Sequence, residues 1–289
     1  MNDWRPTDSG RKRVEMMEDT LLTEPASSRV ANIERAMGLL EALVRHPSGK
    51  TVGELSIQLN HPKSAVSRIL ATLEAEGYVA RDQYSGRFRI ALKLLALAYR
   101  HAESLGVEDI SMPLLRSFAD DTGELVQLAL VDGEEMRYVV KAEGASRIRT
   151  VSLMGTKAVL HASAAGKVWL ASLAWQQALR LVLNDGLDAL TPHTITTVDS
   201  LAQELDGVRR NGYALNICEH TPELNSVAVP VKSQRMKGAV MGAVVLTGPE
   251  FRLSKKRLIE FVPGLSTIAE GIGEALPSNL IRVTAMSHY

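Results

Sequence analysis

The chain has 289 residues, with 33 basic and 33 acidic side chains that cancel to a formal net charge of zero. That balance argues against a protein that coats nucleic acid indiscriminately, because sequence-independent affinity comes from neutralising phosphates. Hydrophobic residues make up 45%, enough for two cores rather than one, and no apolar run reaches the ~18 residues of a membrane span.

A single cysteine, Cys218, excludes an internal disulfide and fits a reducing compartment. The N-terminus lacks an apolar signal core, so a cytoplasmic protein without a membrane partner is expected. The charge is unevenly spread: residues 1–28 carry a net −2, residues 29–91 a net +3, and the remainder a net −1.

In chain order, residues 1–28 are charge-rich with little apolar periodicity and read as a mobile tail. Residues 29–91 read as one domain. Val30 to Val44 is an amphipathic helix, with Ile33, Met37, Leu40 and Val44 on the stripe expected to face the core and Ala36 and Leu43 beside it. Thr51 can cap a second helix, with Glu54 placed to complete a capping box. Val52, Leu55 and Leu59 share its inner face. Asn60-His61-Pro62 then breaks it, and a third helix follows to a C′ glycine, Gly77. On that helix Ala65, Val66, Ile69, Leu70 and Leu73 point inward, and Lys63, Ser64, Ser67 and Arg68 point out. A helix–turn–helix places the start of its second helix at the base edges of the major groove. An ordinary helical hairpin with a solvated face explains these residues equally well. Two short strands follow, Tyr78–Arg81 and Arg87–Ile90, joined by Asp82-Gln83-Tyr84-Ser85-Gly86. A hairpin here reads as a wing, with Arg81 and Arg87 on phosphates, which position a protein without reading sequence.

Residues 92–106 form an apolar linker helix, suited either to packing on its own domain or to pairing with a second subunit. Residues 107–276 read as an α+β domain on an antiparallel sheet. Its expected elements are a helix to Asp121, a hairpin through Asp132-Gly133, a strand at Ile148–Leu153 and a small-residue helix from Ser163. Two more helices, three strands and a closing helix interrupted at Pro263 complete it, and residues 277–289 form a tail.

Several residues could carry chemistry. His161 with Ser163 has the makings of a base and a nucleophile, which leaves a hydrolase open. No acid partner or nucleophile-elbow pattern accompanies them. His161, His193, Cys218, Glu219 and His220 match no metal-ligand spacing, so no metal and no cofactor are expected. The small residues around Gly155 to Lys167 suit either close helix–sheet packing or a ligand approaching free N–H groups at a helix start.

Ordered matches then accumulate over Ser28 to Leu276. They include Arg35-Ala36-Met37-Gly38-Leu39-Leu40, the run Pro62 to Leu73, Gly77-Tyr78-Val79, Leu160 to Lys167, His193-Thr194-Ile195-Thr196, Val208 to Ala214, Glu219 and Val227-Ala228-Val229-Pro230-Val231. With these the chain resembles the IclR family of bacterial transcription regulators. The resemblance implies a winged helix–turn–helix joined by a helix to a GAF-like effector domain whose antiparallel sheet is flanked by helices. It implies a homodimer or homotetramer that binds a double-stranded DNA operator through Thr51, Lys63, Ser64, Ser67, Arg68, Arg81 and Arg87. It also implies a small-molecule effector, a carboxylate or aromatic acid. Carried over by position, the effector pocket would be lined by Leu153, Met154, Gly155, Ala158, Ala164, Ala165, Asn216, Leu224, Ser226, Val245 and Thr247. The chain departs from the family at Ala91, where a glycine is usual, and between Glu219 and Ser226, where no glycine is visible.

Overall fold

The computed structural model describes residues 30–146 and 154–277. The expected tail 1–28, the expected strand Ile148–Leu153 and residues 278–289 lie outside that range. The chain divides into two compact units, one up to Arg100 and one from His101.

The first unit contains helices α1 (Ala31–Val44), α2 (Val52–Gln58) and α3 (Lys63–Ala75) and a hairpin of β1 (Val79–Arg81) and β2 (Phe88–Ile90). Helix α2 begins with the capping box that its sequence encodes. The Thr51 hydroxyl accepts from the Glu54 amide at 3.2 Å, and Glu54 Oε2 accepts from the Thr51 amide at 2.6 Å. Asn60 takes a left-handed φ of 51° between α2 and α3. Gly77 ends α3 at φ 74°, with the Tyr78 amide reaching back to the Leu73 carbonyl and the Gly77 amide to that of Glu74. This is a Schellman closure.

Leu39, Leu43, Leu55, Val66, Leu70, Val79 and Phe88 form the core of this unit. Each fully buried leucine contributes ~1.5–3 kcal/mol relative to exposure. The stripe expected to be buried on α1 is corrected. Ile33, Met37 and Val44 are 57%, 52% and 59% exposed, whereas Leu39, Ala42 and Leu43 are buried. Helix α1 carries apolar residues on two faces, and helical spacing alone does not rank them. Leu40, from the expected stripe, packs partly buried at the edge of the core.

Helix α4 (Leu92–Leu105) crosses the boundary between the units and has no buried residue. The second unit opens with α5 (Val107–Thr122) and the hairpin β3 (Leu125–Asp132) and β4 (Glu135–Ala142). Next come α6 (Ala164–Ser172), α7 (Trp175–Asp185), α8 (Val198–Asn211), β5 (Ala214–Ile217), β6 (Leu224–Ser233), β7 (Ala239–Pro249), α9 (Lys255–Glu260) and α10 (Val262–Ala275). The closing helix therefore breaks at Phe261, two residues before Pro263, which sits in the first turn of α10.

The strands form one antiparallel sheet in the order β4-β3-β7-β6-β5. Helices α5 and α10 pack on the sheet and on each other, with Phe118 meeting the Phe261 ring edge-on at 6.0 Å. Helix α6 packs on β5, β6, β7 and α8. Pro230 shares a cleft with Val168 and Ala171 of α6. By strand alternation, α6 therefore covers the face that carries Ser226 and Ala228. Gly166 lets the segment before α6 fold tightly against the helix, since a Cβ there would fall 2.4 Å from the Leu160 carbonyl oxygen.

Candidate DNA-reading surface and effector cavity

In the first unit, burial sorts α3 into two sides. Val66 and Leu70 are buried, while Lys63, Ser64, Ser67 and Arg68 are all exposed. Thr51 is half-buried, with its hydroxyl engaged in the cap. In the hairpin, Asp82 Oδ1 accepts from the amides of Tyr84 and Ser85 at 3.1 and 2.7 Å, which stiffens the turn. These bonds, led by that of Ser85, hold the Asp82 carboxyl below its ordinary range. Tyr84 at the tip is fully exposed. The Arg81 guanidinium lies over the Phe88 ring at 5.6 Å.

Arg87 stands apart from the other expected phosphate contacts. Its guanidinium donates to both Glu54 carboxylate oxygens, at 3.0 and 3.2 Å, and to the Gly49 carbonyl at 2.8 Å. Arg87 thus fastens the hairpin to α2 and to the loop before it. Arg89, not among the expected phosphate contacts, is exposed on β2. Strand alternation beside Phe88 was the signal that could have found it.

In the second unit, the β-ladder lines up a row across four strands. Leu125 lies opposite Thr247, Thr247 opposite Ser226, and Ser226 opposite Asn216. Residues directly opposite share a face. That row floors a cavity of about 420 Å³, completed by Gln127, Tyr138, Thr156, Lys157, Ala158, Val159, Ser163, His220, Thr221 and Leu224. Its size suits a small ligand, and its lining mixes apolar and polar groups as such sites do. Ser163 caps α6 by accepting from the Gly166 amide at 3.0 Å, and its hydroxyl also bonds Tyr138. Burial pushes the Tyr138 phenol up to about 12, so it stays protonated.

Of the pocket residues carried over by position, Ala158, Asn216, Leu224, Ser226 and Thr247 line this cavity. Ala164, Ala165 and Val245 are buried in the core instead. Met154 and Gly155 are exposed, and Leu153 lies outside the described residues. Gln127, Tyr138, Ser163 and His220 are lining residues that the resemblance did not supply.

Below Asn216 lies an ionic cluster. Lys167 is fully buried, with Nζ 2.7 and 3.0 Å from the two Glu219 oxygens and 2.9 Å from Glu204 Oε1. The Asn216 side-chain oxygen accepts from the Glu219 amide at 2.8 Å. Burial raises the Glu219 pKa and Lys167 partly offsets it. Thr191 and Thr194 hydroxyls donate to the Cys218 and Glu219 carbonyls at 2.7 and 2.6 Å, pinning the β5–β6 loop. That loop holds two non-glycine residues in the left-handed region, Cys218 at φ 55° and Glu223 at φ 63°. Glu223 occupies the stretch where the family's glycine is usual.

Among the described residues the His161–Ser163 pair that could suggest a hydrolase is not assembled. His161 Nε2 donates to the Asp188 carbonyl at 3.1 Å, and its buried Nδ1 has no hydrogen-bond partner among the described residues. Ser163 is therefore not paired with His161. Burial and then Glu250 push the Cys218 thiol up, which disfavours the reactive thiolate. Among the described residues no group of three or more His, Cys, Asp or Glu side chains is arranged to hold a metal ion. No helix among them is long and apolar enough to cross a membrane.

A helix–turn–helix with a hairpin wing, carried on the same chain as a cavity-bearing α+β unit, is the architecture of a DNA-binding transcription regulator. The IclR C-terminal regulator model matches residues 99–274 and the IclR helix-turn-helix model matches residues 32–83. The chain belongs to the IclR family of bacterial transcriptional regulators, not to an enzyme family. It is 28% identical over 254 residues to the HTH-type transcriptional repressor AllR of Escherichia coli, covering 88% of this chain and 93% of the repressor. An IclR regulator from Alicyclobacillus acidocaldarius superposes with a TM-score of 0.75 at 26% identity, covering 85% of this chain and 98% of that one. An IclR homologue from Microbacterium hydrocarbonoxydans, solved with 4-hydroxybenzoate, shares the fold at 21% identity with a TM-score of 0.71, covering 84% and 98%.

Proposed function

We propose that this regulator reads its operator with the exposed side of α3 and releases or tightens it when a small organic acid occupies the α+β cavity. The observation that carries the reading surface is the division of α3 between buried Val66 and Leu70 and exposed Lys63, Ser64, Ser67 and Arg68. Arg68 and Lys63 offer charged donors to base edges or phosphates, Ser64 and Ser67 neutral ones. Arg81 and Arg89 suit phosphate contacts on the wing, whereas Arg87 and Thr51 act by holding α2 and the hairpin in place. The regulated genes are inferred to serve catabolism of the acid that the cavity binds, in the cytoplasm where the DNA resides.

A ligand shifts operator affinity only by its differential affinity for the two states of the regulator. The cavity supports an acid of modest size because its hydroxyl and amide groups can orient one end and Leu125, Val159 and Leu224 can cover the other. The 4-hydroxybenzoate bound by the Microbacterium homologue falls in that class. The proposed working form is a homodimer or a homotetramer built from it. Its support is the apolar surface left open on α1 by Ile33, Met37 and Val44, and on α4, where Leu92 is 80% exposed. A second copy covering those faces would also present two reading helices to a palindromic site.

The test is selection of a duplex from a random pool by the full chain, followed by binding at fixed salt of wild type and Arg68→Ala. Selection of a palindrome whose discrimination Arg68→Ala relaxes is the expected result. Failure to enrich any sequence, or an Arg68→Ala protein with unaltered discrimination, overturns the assignment of the reading surface.

A further inference from the structure

The effector cavity is short of available positive charge. Two of its described lining side chains are basic, Lys157 and His220. Lys157 is already engaged, with Nζ 2.5 Å from Asp185 and 3.7 Å from Glu135. The Asp185 hydrogen bond holds the lysine pKa above its ordinary value, so Lys157 stays charged and committed. An incoming carboxylate would have to compete with two resident acids for it.

His220 has no such partner among the described residues. Its Nδ1 lies 2.9 Å from the Thr221 hydroxyl. The acid next to it in sequence, Glu219, gives both oxygens to Lys167. The neighbouring His161 is anchored through Nε2 to a carbonyl and offers no carboxylate.

We propose that His220 is the cation that receives an acidic effector, and that the cavity takes up the ligand's carboxylate together with one proton drawn from solvent. This rests on the effector reading above and names how that site is gated. His220 lines the cavity with its residue still exposed to solvent, and the partial loss of water around its ring, then the repulsion of His161, lower its pKa and favour the neutral imidazole. A carboxylate within ~4–6 Å pulls the other way and restores the charged form. Ligand and proton therefore bind with positive coupling, and by linkage a fall in pH tightens the acid. An uncharged analogue of the same shape gains nothing from the proton. Tyr138 stays neutral and Lys157 stays charged, so neither titrates near neutrality. Glu219, raised by burial, is the rival titrating group and has to be separated by experiment.

The experiment measures affinities of benzoate, 4-hydroxybenzoate and pyruvate for the full chain at about pH 6 and about pH 8, where all three carboxylates are ionised. The uncharged control is 4-hydroxybenzamide. We expect at least one acid to bind about tenfold more tightly at the lower pH, with the amide insensitive to pH. His220→Gln should flatten the dependence while its circular dichroism stays native, and His220→Lys should restore acid binding with no pH dependence. Equal affinity at both pH values, or a pH dependence that survives in His220→Gln, overturns the role of His220 and leaves the cavity reading standing. If no acid in the panel binds at either pH, the acid-effector reading fails and this inference fails with it.

Discussion

The two units of this chain treat polar groups in opposite ways. The first hides a small, wholly apolar core and puts its charge outside, on Lys63, Arg68, Arg81 and Arg89. The second buries polarity: a lysine held by a buried and a half-exposed glutamate, an imidazole nitrogen with no partner among the described residues, and a cavity walled by hydroxyls and amides. The contrast teaches where each unit's work is done. A surface that meets a polyanion needs charge in water and a rigid apolar backing. A chamber that distinguishes one metabolite from another needs fixed polar groups whose partners are inside the protein.

Substitutions can break or sharpen that contrast. The largest effect is expected from Lys167→Met, which leaves the buried Glu219 carboxylate, and the half-exposed Glu204 beside it, without their cation. Removing one partner of a buried pair costs about 3–5 kcal/mol. Calorimetry should show the larger unit melting earlier and the smaller unit unmoved. If the transition of the larger unit stays put, the buried cluster contributes little to its stability. Next is Arg68→Ala, expected to cost about 1–3 kcal/mol of operator affinity with an unchanged melting temperature. A drop in stability of similar size would mean that Arg68 supports the fold instead.

A smaller gain is expected from Glu223→Gly. It relieves a left-handed backbone that glycine adopts freely, worth about 1 kcal/mol, and should raise the urea midpoint without changing the slope. Smallest is a difference in the sign of acid response. In the first unit the Thr51 amide bond holds the Glu54 carboxyl below its ordinary 4.5. Its contribution is full above that value and is lost as pH falls through the folded pKa. In the second unit burial holds Glu219 above 4.5, so its contribution grows as pH falls through that raised range. Glu54→Gln and Glu219→Gln should therefore change the slope of stability against pH in opposite directions, read from urea midpoints across the acid range. Slopes that change in the same direction would contradict this account of the two carboxyls.

What could be read from the sequence was what local chemistry decides. The Thr51–Glu54 box, the Asn60 break, the Gly77 cap and the Asp132-Gly133 hairpin each depend on a few adjacent residues. So did the identity of the four outward side chains on α3. Long-range pairing was harder to see. Arg87 was expected at phosphate, but its partner Glu54 lies 33 residues earlier and nothing local signals the pair. The α1 stripe was misassigned because a helix with two apolar faces does not reveal which one the core will claim. Tyr138 reaches the cavity's face only through its pairing with β3 and a register shift between Leu128 and Ala129, and Gln127 through the pairing of β3 with β7. Val245, opposite Gln127 and Ala228, shares the cavity's face of the sheet yet is buried in the core, a depth that motif position does not give.

The Arg87–Glu54 clasp carries one more consequence. A glutamate at the front of a recognition motif is useful for starting a helix and harmful near a phosphate backbone, which would repel it. By folding an arginine back onto that acid, the wing neutralises it before any duplex arrives. Lys63 and Arg68 are then left as the exposed cations of α3, and α2 keeps its starting signal with its charge already balanced.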